Sequence, residues 1–376
     1  MATKSKPIAS FREGSPLEVG RETAFWGRNA IARTKSGLSL QHRLFANDPW
    51  AMISEGIHRA LPKGRTRDIA HSFERQAEDY FRAATAGREL AVRPLLLYYA
   101  FLNLSKAYAV TKGNTNVVGR SFHGVRAAAK PRAIPGSVIQ FENTSPGRPG
   151  VFQELLQHLD GNPSILRSDL RLGHLLPQIL PGHRLWCYAA HRSERFLPIE
   201  HFQVRHSSSP KLVWLNIFLR KTNLAQVGLA ESSVLSEADL AGEFEVAGKF
   251  DGQICFQQLS PAPYSTDPAE AFTLIIKKFK NKIWETARIE SPYRKPYLYC
   301  CPPAEQKTRL PQILAVYLLM FFLGSVTRYF PLYFDDLLDS RYGPLFETFV
   351  TETPMQFLYL MASEILGREV SKPAII

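Results

Sequence analysis

A histidine between an aromatic residue and a glycine is the residue of this chain best suited to chemistry. His123 stands in the sequence Ser121-Phe122-His123-Gly124. An imidazole titrates near neutral pH, and a neighbouring glycine lets the backbone approach a ligand closely. The alternative is a structural role, in which the ring caps a helix end or bonds a buried carbonyl group. The sequence leaves both roles open.

Three polar side chains follow one face of a predicted helix at residues 95–111. Tyr99, Asn103 and Lys106 are spaced four and three residues apart, so they lie on the same helix face. The rest of this helix is apolar, and buried polar groups need partners. These three residues either bind a ligand or bond across a helix interface to Arg328 or Tyr329.

Further cations complete the set of candidate binding residues. Arg328 ends a second apolar helix, where a cation also complements the negative end of the helix dipole. A lysine-rich run around Phe279 either follows a phosphate backbone or covers a solvated amphipathic helix. The candidate contacts for a ligand or a nucleic acid in these regions are Arg126, Arg328, Lys277, Lys278 and Lys280.

The positive charge of the chain is concentrated near its N-terminus. The net charge is +12, and residues 1–130 hold 21 Lys and Arg against 10 Asp and Glu. The other residues hold 25 against 24. A basic region of this kind attracts RNA, DNA, nucleotides or acidic protein surfaces. The alternative is a solvated, arginine-rich helical surface without a polyanionic partner.

Motifs for metals and cofactors are absent from the sequence. It contains no glycine-rich phosphate loop, no His-Glu-x-x-His motif and no Gly-x-Ser-x-Gly motif. Asp335, Asp336 and Asp339 form an acidic cluster at helical spacing, which fits a solvated helix face better than a metal site. We therefore expect neither a metal nor a cofactor.

The cysteines and the apolar segments bear on localisation. Cys187, Cys255, Cys300 and Cys301 show no metal-binding spacing, and no signal peptide is evident. We expect reduced, structural thiols in a cytoplasmic protein. The apolar run at residues 313–326 is shorter than the ~20 residues that span a bilayer. It predicts a buried core helix and no membrane association.

The helix-like and strand-like hydrophobic patterns along the chain predict an α+β fold. We expect a flexible segment at 1–20, a basic helical part at 21–130, a mixed β-containing insert at 131–265, and a C-terminal helical part at 266–376 that packs on 21–130. The expected body is thus mainly helical, with a small, mostly antiparallel sheet in the middle. Individual expectations include helices at 151–159, 168–179 and 268–284, a strand at 184–190, and a hairpin joining 243–247 to 253–259.

Two segments carry a resemblance to a known family. The first covers residues 93–107, with Arg93-Pro94 at its start, and is followed by Ser121-Phe122-His123-Gly124; the second covers residues 317–331. Both resemble hallmark stretches of YaaC-like bacterial proteins, a family without an established activity. The resemblance covers both ends of the chain and is loose in the middle.

The Tyr98-Tyr99 pair also resembles the paired-aromatic helix of the HEPN superfamily. HEPN domains are helical bundles, and many are metal-independent ribonucleases with an arginine and a histidine four to six residues apart on a late helix. This chain departs from that pattern, because no histidine follows His206. Arg65 and His71 have such a spacing at the start of an earlier predicted helix. They and His123 are the candidate catalytic residues, since RNA cleavage needs proton transfer and charge stabilisation.

Three functions remain open at this point. The first is a YaaC-like, nucleic-acid-associated protein of a bacterial stress or antiphage system. The second is a HEPN-like, metal-independent ribonuclease. The third is a protein-interaction scaffold whose basic region docks an acidic partner. The candidate partners are accordingly RNA, DNA or another protein, and the sequence leaves the oligomeric state undetermined.

Overall fold

The computed structural model describes residues 9–87, 89–130, 133–145, 147–159, 161–285 and 296–373, with α-helices and short strands alternating along the chain. The helices are α1 (Pro49–Ala60), α2 (Arg65–Ala86), α3 (Arg93–Thr111), α4 (Val117–Arg120), α5 (Val151–His158), α6 (Leu172–Leu175), α7 (His183–Ala190), α8 (Lys221–Gln226), α9 (Val234–Glu237), α10 (Pro268–Phe279), α11 (Gln312–Tyr329), α12 (Pro331–Asp339), α13 (Gly343–Thr351) and α14 (Thr353–Leu366).

The strands are short and form several small sheets. They are β1 (Ser15–Pro16), β2 (Glu18–Val19), β3 (Glu22–Thr23), β4 (Ile31–Thr34), β5 (Gly37–Leu40), β6 (Leu44–Phe45), β7 (Val125–Ala128), β8 (Val138–Phe141), β9 (Leu170–Arg171), β10 (Phe196–Pro198), β11 (His201–Ser208), β12 (Lys211–Arg220), β13 (Phe244–Phe250), β14 (Gln253–Gln258), β15 (Ala262–Pro263), β16 (Ile283–Trp284), β17 (Tyr297–Tyr299) and β18 (Val370–Ser371). The predicted α+β class is confirmed, whereas a mainly helical body built from the two chain ends is not confirmed.

The chain forms two compact units, each built from discontinuous segments. Unit 1 comprises the described parts of residues 1–43, 195–285 and 292–306. Unit 2 comprises the described parts of residues 44–194 and 307–376. The predicted division at residues 20, 130 and 265 follows sequence order, whereas both units combine segments that are far apart along the chain.

Two apolar helices, α3 and α11, form the centre of unit 2. Their side chains are apolar on nearly all sides, so nearly all sides are buried, as expected for helices without a solvent face. They approach closely at Gly324, where an added Cβ would lie 3.1 Å from the Cβ of Tyr98 and 3.3 Å from the carbonyl oxygen of Pro94. Phe101 of α3 also stacks on Phe357 of α14, with ring centroids 3.8 Å apart.

Helix α11 matches the predicted buried core helix in position. Its length and apolar composition alone would permit a membrane span, and 72% of it is buried inside the fold. Among the described residues it is the one helix with these properties, and such a helix is weak evidence for a membrane protein. Burial of this kind is what the core helix of a folded domain shows.

An antiparallel sheet with strand order β1-β11-β12-β14-β13 is the centre of unit 1. Helix α10 covers one face, where Ile217 of β12 and Phe272 of α10 belong to the same core. The N-terminal segment at residues 9–14 contacts the other face: the Arg12 guanidinium lies 5.3 Å from the Trp214 ring centroid. The backbone N–H of Arg12 also donates to Gln257 Oε1 at 2.7 Å.

The predicted hairpin in the middle of the chain is confirmed. Strands β13 and β14 pair antiparallel, with Phe250 opposite Gln253. The turn between them contains Asp251 and Gly252, both with positive φ angles of 33° and 76°. This backbone conformation favours Asp and Gly, which explains why the Asp-Gly pair marked the turn in the sequence.

Several predicted elements are wrong. Residues 184–190, predicted as a strand, form helix α7, because buried His183, Trp186 and Cys187 recur at helical spacing. The predicted helix at 168–179 is broken into β9, α6 and a short 3-10 turn at Leu176–Gln178. The predicted helix at 268–284 ends at Phe279, after which Ile283 and Trp284 form β16.

The N-terminal region also differs from its prediction. The described part of the expected flexible segment, residues 9–20, contains β1 and β2, and its Ser15 pairs with His206 of β11. Residues 1–8 lie outside the described residues. Residues 21–48, expected to be helical, form β3 to β6 instead. Their amphipathic helical pattern is weak; β4 and β5 pair with each other as a hairpin, whereas β6 pairs with the distant β18.

Candidate functional site

A hydrogen bond between a histidine and a tyrosine marks the candidate site in unit 2. The Nδ1 atom of His123 lies 2.5 Å from the hydroxyl oxygen of Tyr98 on α3. The His123 ring also lies 6.2 Å, between centroids, from the ring of Phe321 on α11. The imidazole is therefore bonded to one apolar helix and packed against the other.

Local backbone contacts hold the loop that carries His123. The carbonyl group of His123 accepts a hydrogen bond from the backbone N–H of Phe152 at 3.3 Å. Gly124 has a φ of 81°, a conformation that glycine adopts without steric cost. Its carbonyl oxygen accepts a hydrogen bond from Nε2 of Gln153 at 2.8 Å. These contacts with α5 fix the loop, and the glycine allows the turn that directs His123 towards α3.

The tyrosine partner is a neutral phenol. Tyr98 is only 4% exposed. Burial raises the pKa of Tyr98 well above its usual value, and the nearby Tyr317 hydroxyl adds to this effect. Burial also raises the pKa of Tyr317, whose hydroxyl makes no hydrogen bond of good geometry within the described chain. Both phenols consequently stay protonated at neutral pH.

The histidine is held in its neutral form. Burial lowers the pKa of His123, and the positive charges of Lys106 and Arg328 lower it further, while Glu142 raises it. At neutral pH the ring is therefore uncharged. Its second nitrogen, Nε2, has no hydrogen bond to any residue in the described ranges. A neutral imidazole with one free nitrogen can exchange a proton or bond to a ligand.

Lys106 lies about two turns beyond Tyr98 along α3, in an unusual environment. Its ammonium group lies 5.5 Å from the centroid of the Phe73 ring of α2. It is half-buried, burial lowers its pKa, and none of the described residues forms an ion pair or hydrogen bond with it. Asn103, on the same helix face, is 8% exposed and also lacks a hydrogen bond to a described residue.

A row of aromatic rings and one guanidinium group continues from this site. Tyr80 of α2 stacks on Tyr99 of α3, with centroids 5.5 Å apart. The Tyr99 hydroxyl accepts a hydrogen bond from Nη1 of Arg328 at 3.3 Å. The Arg328 guanidinium also lies 5.1 Å from the centroid of Tyr329, which is 62% exposed. We call Tyr80, Tyr99, Arg328 and Tyr329 the aromatic–cation stripe.

Comparison with known proteins identifies the family. The YaaC-like protein family matches the chain over residues 38–365. This protein belongs to the YaaC-like family. No curated protein and no solved structure matches the chain significantly. The resemblance inferred from the Tyr98-Tyr99 helix and the helix at 317–331 is thus confirmed, and the matched range also includes the loosely matching middle. The likeness to HEPN proteins stays a prediction.

The structure of this YaaC-like protein brings four of the predicted site residues together. His123, Tyr99, Lys106 and Arg328 are linked through contacts with α3 or through their charges. Asn103 lies on the same face of α3, between Tyr99 and Lys106. The structural alternative for His123 was a bond to a carbonyl group or a helix cap, whereas its ring bonds to a hydroxyl.

The other predicted catalytic residues are not joined to this cluster by any contact in the described ranges. The Nδ1 atom of His71 lies 2.6 Å from Oε2 of Glu74 on the same helix. Arg65 is exposed at the start of α2 and makes no hydrogen bond or ion pair with His71. Arg126 is exposed on β7, where its register partner is Gln140. Their proposed roles stay predictions.

The three predicted lysines of the basic run lie in unit 1. Lys278 forms an ion pair with Glu243 and lies 5.5 Å from the centroid of the Phe279 ring. Lys277 is exposed on α10, and the backbone carbonyl of Lys280 accepts a hydrogen bond from Arg28. One of the three is therefore already neutralised by a carboxylate.

Three residues of the site were absent from the predicted set, Tyr98, Glu142 and Tyr80, whereas Tyr329 was predicted only as a bonding partner across the helix interface. A signal existed for Tyr98, since a tyrosine in an otherwise apolar helix must find a partner for its hydroxyl group. No sequence signal relates Glu142 or Tyr80 to His123, because these residues approach the site only through packing. Among the described residues, no group of three His, Cys, Asp or Glu side chains could hold a metal ion.

Proposed function

We propose that this YaaC-like protein binds single-stranded nucleic acid on the aromatic–cation stripe. The observation that carries the proposal is the continuous contact from the Tyr80 ring through Tyr99 and Arg328 to the exposed Tyr329 ring. Proteins that bind single strands combine aromatic surfaces for stacking with cations for the phosphate backbone. Stacking contributes about 1–3 kcal/mol per base and tolerates any sequence.

The charge distribution of the chain supports the same proposal. Residues 1–130, with their excess of Lys and Arg, include α2 and α3, which contribute Tyr80 and Tyr99. A positive surface raises the rate at which a polyanion associates. The placement of this activity in a bacterial stress or antiphage system remains a prediction from the sequence.

Direct binding measurements test the proposal. Purified protein is titrated into labelled single-stranded RNA, single-stranded DNA and duplex DNA at two salt concentrations. We expect salt-dependent binding that favours the single strands, because stacking requires unpaired bases. Arg328→Gln should weaken binding, whereas Arg184→Gln is a control with the same loss of charge, since Arg184 lies on α7 and pairs with Glu194. If both substitutions weaken binding equally, the nucleic acid binds through non-specific charge and not through the stripe. Absence of any binding would favour the protein-docking alternative.

A second candidate function, metal-independent ribonuclease activity, is favoured by His123. The neutral imidazole has an unbonded Nε2 and lies within the electrostatic influence of Lys106 and Arg328. A neutral histidine can accept the proton of a ribose 2′-hydroxyl, and cations stabilise the charge that develops on phosphorus. These properties are the requirements for cleavage without a metal.

Cleavage assays separate binding from catalysis. Labelled RNA is incubated with the protein in a chelator, and the products are resolved by length. Ribonuclease activity requires that His123→Gln abolish cleavage while binding survives. Cleavage that depends on His71 instead would assign the activity to the Arg65 and His71 pair.

A further inference from the structure

Lys106 is a half-buried cation without a counter-ion in the described chain. Removing an ammonium group from water is unfavourable unless an opposite charge compensates it. Among the described residues, the Phe73 ring lies 5.5 Å from the ammonium group, and an aromatic face compensates only partly for lost hydration. Asn103, on the same face of α3, is a buried amide that also lacks a partner there. Two adjacent polar groups thus lack partners that a ligand would supply.

The groups around Lys106 are hydrogen-bond donors or can become donors. Arg328 donates to Tyr99 and has no carboxylate partner within the described ranges. His123 presents Nε2, and Tyr98 occupies its other nitrogen. The negative charge of Glu142 raises the pKa of His123. Lys106 and Arg328 together bring two positive charges that no described carboxylate neutralises by contact.

We propose that Lys106, His123 and Arg328 bind the terminal phosphate monoester of a nucleic acid strand, with Asn103 as a further donor. This inference rests on the proposed binding of single strands, and it assigns the strand end to a defined position. The bases next to the phosphate then lie along the aromatic–cation stripe, since Arg328 belongs to both groups.

Charge and shape select a phosphate monoester among the anions. A monoester carries close to two negative charges at pH 7 and three terminal oxygen atoms. These match the two positive charges of Lys106 and Arg328 and the neutral donors that accompany them along α3. An internal phosphodiester carries a single charge, and a carboxylate carries one charge on two oxygens, so either would leave a cation uncompensated. The half-buried position of Lys106 and His123 also suits a strand end better than a strand that continues in both directions.

The test compares oligonucleotides that differ only at their ends. One single-stranded sequence is prepared with a 5′-phosphate, with a 3′-phosphate and with hydroxyl groups at both ends. We expect one of the phosphorylated strands to bind about tenfold more tightly than the unphosphorylated strand, as one or two charge-assisted hydrogen bonds would produce. Equal affinities for all three strands would overturn the inference and leave the proposed function intact.

Matched lysine substitutions locate the effect. Lys106→Met should remove the preference for the phosphorylated strand, so that the variant binds the phosphorylated and unphosphorylated strands with equal affinity. Lys112→Met is the control, because Lys112 ends the same helix and also lies over an aromatic ring, 5.0 Å from the centroid of Tyr108. Loss of the preference in both variants, or in neither, contradicts the assignment. Circular dichroism and thermal unfolding establish that each variant is folded.

A direct titration keeps the site testable if no oligonucleotide binds. Absence of binding to every oligonucleotide would overturn the proposed function. Inorganic phosphate is then added while the imidazole proton resonances of His123 are followed by NMR, with His123→Gln as the assignment control. A saturable shift that Lys106→Met abolishes supports the phosphate site by itself. No shift at millimolar phosphate overturns it.

Discussion

The two units both bury polar side chains, but the buried groups differ in kind. In unit 1 one group without a partner is a neutral, fully enclosed amide: Asn216 of β12 is 0% exposed, and neither of its amide atoms has a hydrogen-bond partner in the described chain. The indole N–H of Trp214 on the same strand is in the same situation. In unit 2 the groups without partners include a cation, Lys106, which is only half-buried.

This difference distinguishes a buried polar group that only destabilises the fold from one that can bind a ligand. A neutral amide that is wholly enclosed can reach no ligand without rearrangement, and it costs about 1–3 kcal/mol if it stays unbonded. A half-buried cation stays in contact with solvent, so an anion can reach it. Solvent access, rather than the number of orphan polar groups, distinguishes the candidate site in unit 2.

The largest expected effect concerns the apolar core that supports the site. Phe101→Ala removes a buried ring that stacks on Phe357, and we expect a loss of about 3–5 kcal/mol in the free energy of unfolding. Denaturant titration followed by circular dichroism measures this loss. Tyr188→Ala, at a side chain that is 83% exposed, should change stability by less than about 0.5 kcal/mol. Similar values for both variants would show that α3 is not the core of unit 2.

The next prediction compares the salt dependence of binding after loss of Arg328, a cation of the candidate site, and of Lys277, a surface cation of unit 1. Arg328→Gln should make the slope of log affinity against log salt less steep by about 0.7 for a single strand, because one phosphate contact is lost. Fluorescence anisotropy at four or more salt concentrations gives this slope. For Lys277→Gln on α10 of unit 1, we expect an unchanged slope. A reduced slope for Lys277→Gln alone would move the binding surface to unit 1.

Replacing the buried, unbonded amide of unit 1 should raise the stability of the protein. Asn216→Leu replaces two unbonded polar atoms with apolar atoms of similar volume, and we expect the free energy of unfolding to rise by about 1 kcal/mol. Asn116→Leu, at an exposed position of unit 2, is the control and should have little effect. A marked loss of stability in Asn216→Leu would show that Asn216 does have a partner, such as an ordered water molecule.

The smallest effect is the pH dependence of His123. Folding lowers the pKa of this histidine, so the unfolded chain takes up a proton below about pH 6.5 that the folded chain resists. Stability present above that pH should therefore fall as the pH decreases through the folded pKa. His123 and its hydrogen-bond partner Tyr98 are affected by the charged and titratable groups Lys106, Arg328, Glu142, Tyr317 and Tyr99.

Comparison of the wild type with His123→Gln isolates this contribution. Denaturant unfolding is measured at intervals from pH 5 to pH 8, and the difference between the two proteins is plotted against pH. We expect the wild type to lose stability relative to the variant on the acidic side only. A constant difference across the range would assign His123 a role that does not involve its charge.

Local patterns were sufficient for the elements whose own residues determine their structure. The apolar runs of α3 and α11 predicted buried helices, and the Asp251-Gly252 pair predicted a hairpin turn. The strand predicted at residues 184–190 was wrong because the hydrophobic pattern of so short a segment fits both a helix and a strand. Packing of Trp186 and Cys187 on the core selects the helix α7. Of the strands at residues 21–48, β6 depends on a distant partner, since Leu44 pairs with Val370, whereas β3, β4 and β5 pair with strands nearby in the chain.

The sequence by itself determined the family, the α+β class and the two apolar helices, and it identified His123 as a candidate, because these depend on residue type and short spacing. Only the tertiary structure decided that Tyr98 bonds to His123 and that Lys106 and Arg328 both act on this histidine. Arg328 is 229 positions from Tyr99 in the chain, and no local pattern specifies a contact over that separation. Close packing of α3 and α11 at Gly324 positions these side chains, and with them the candidate site.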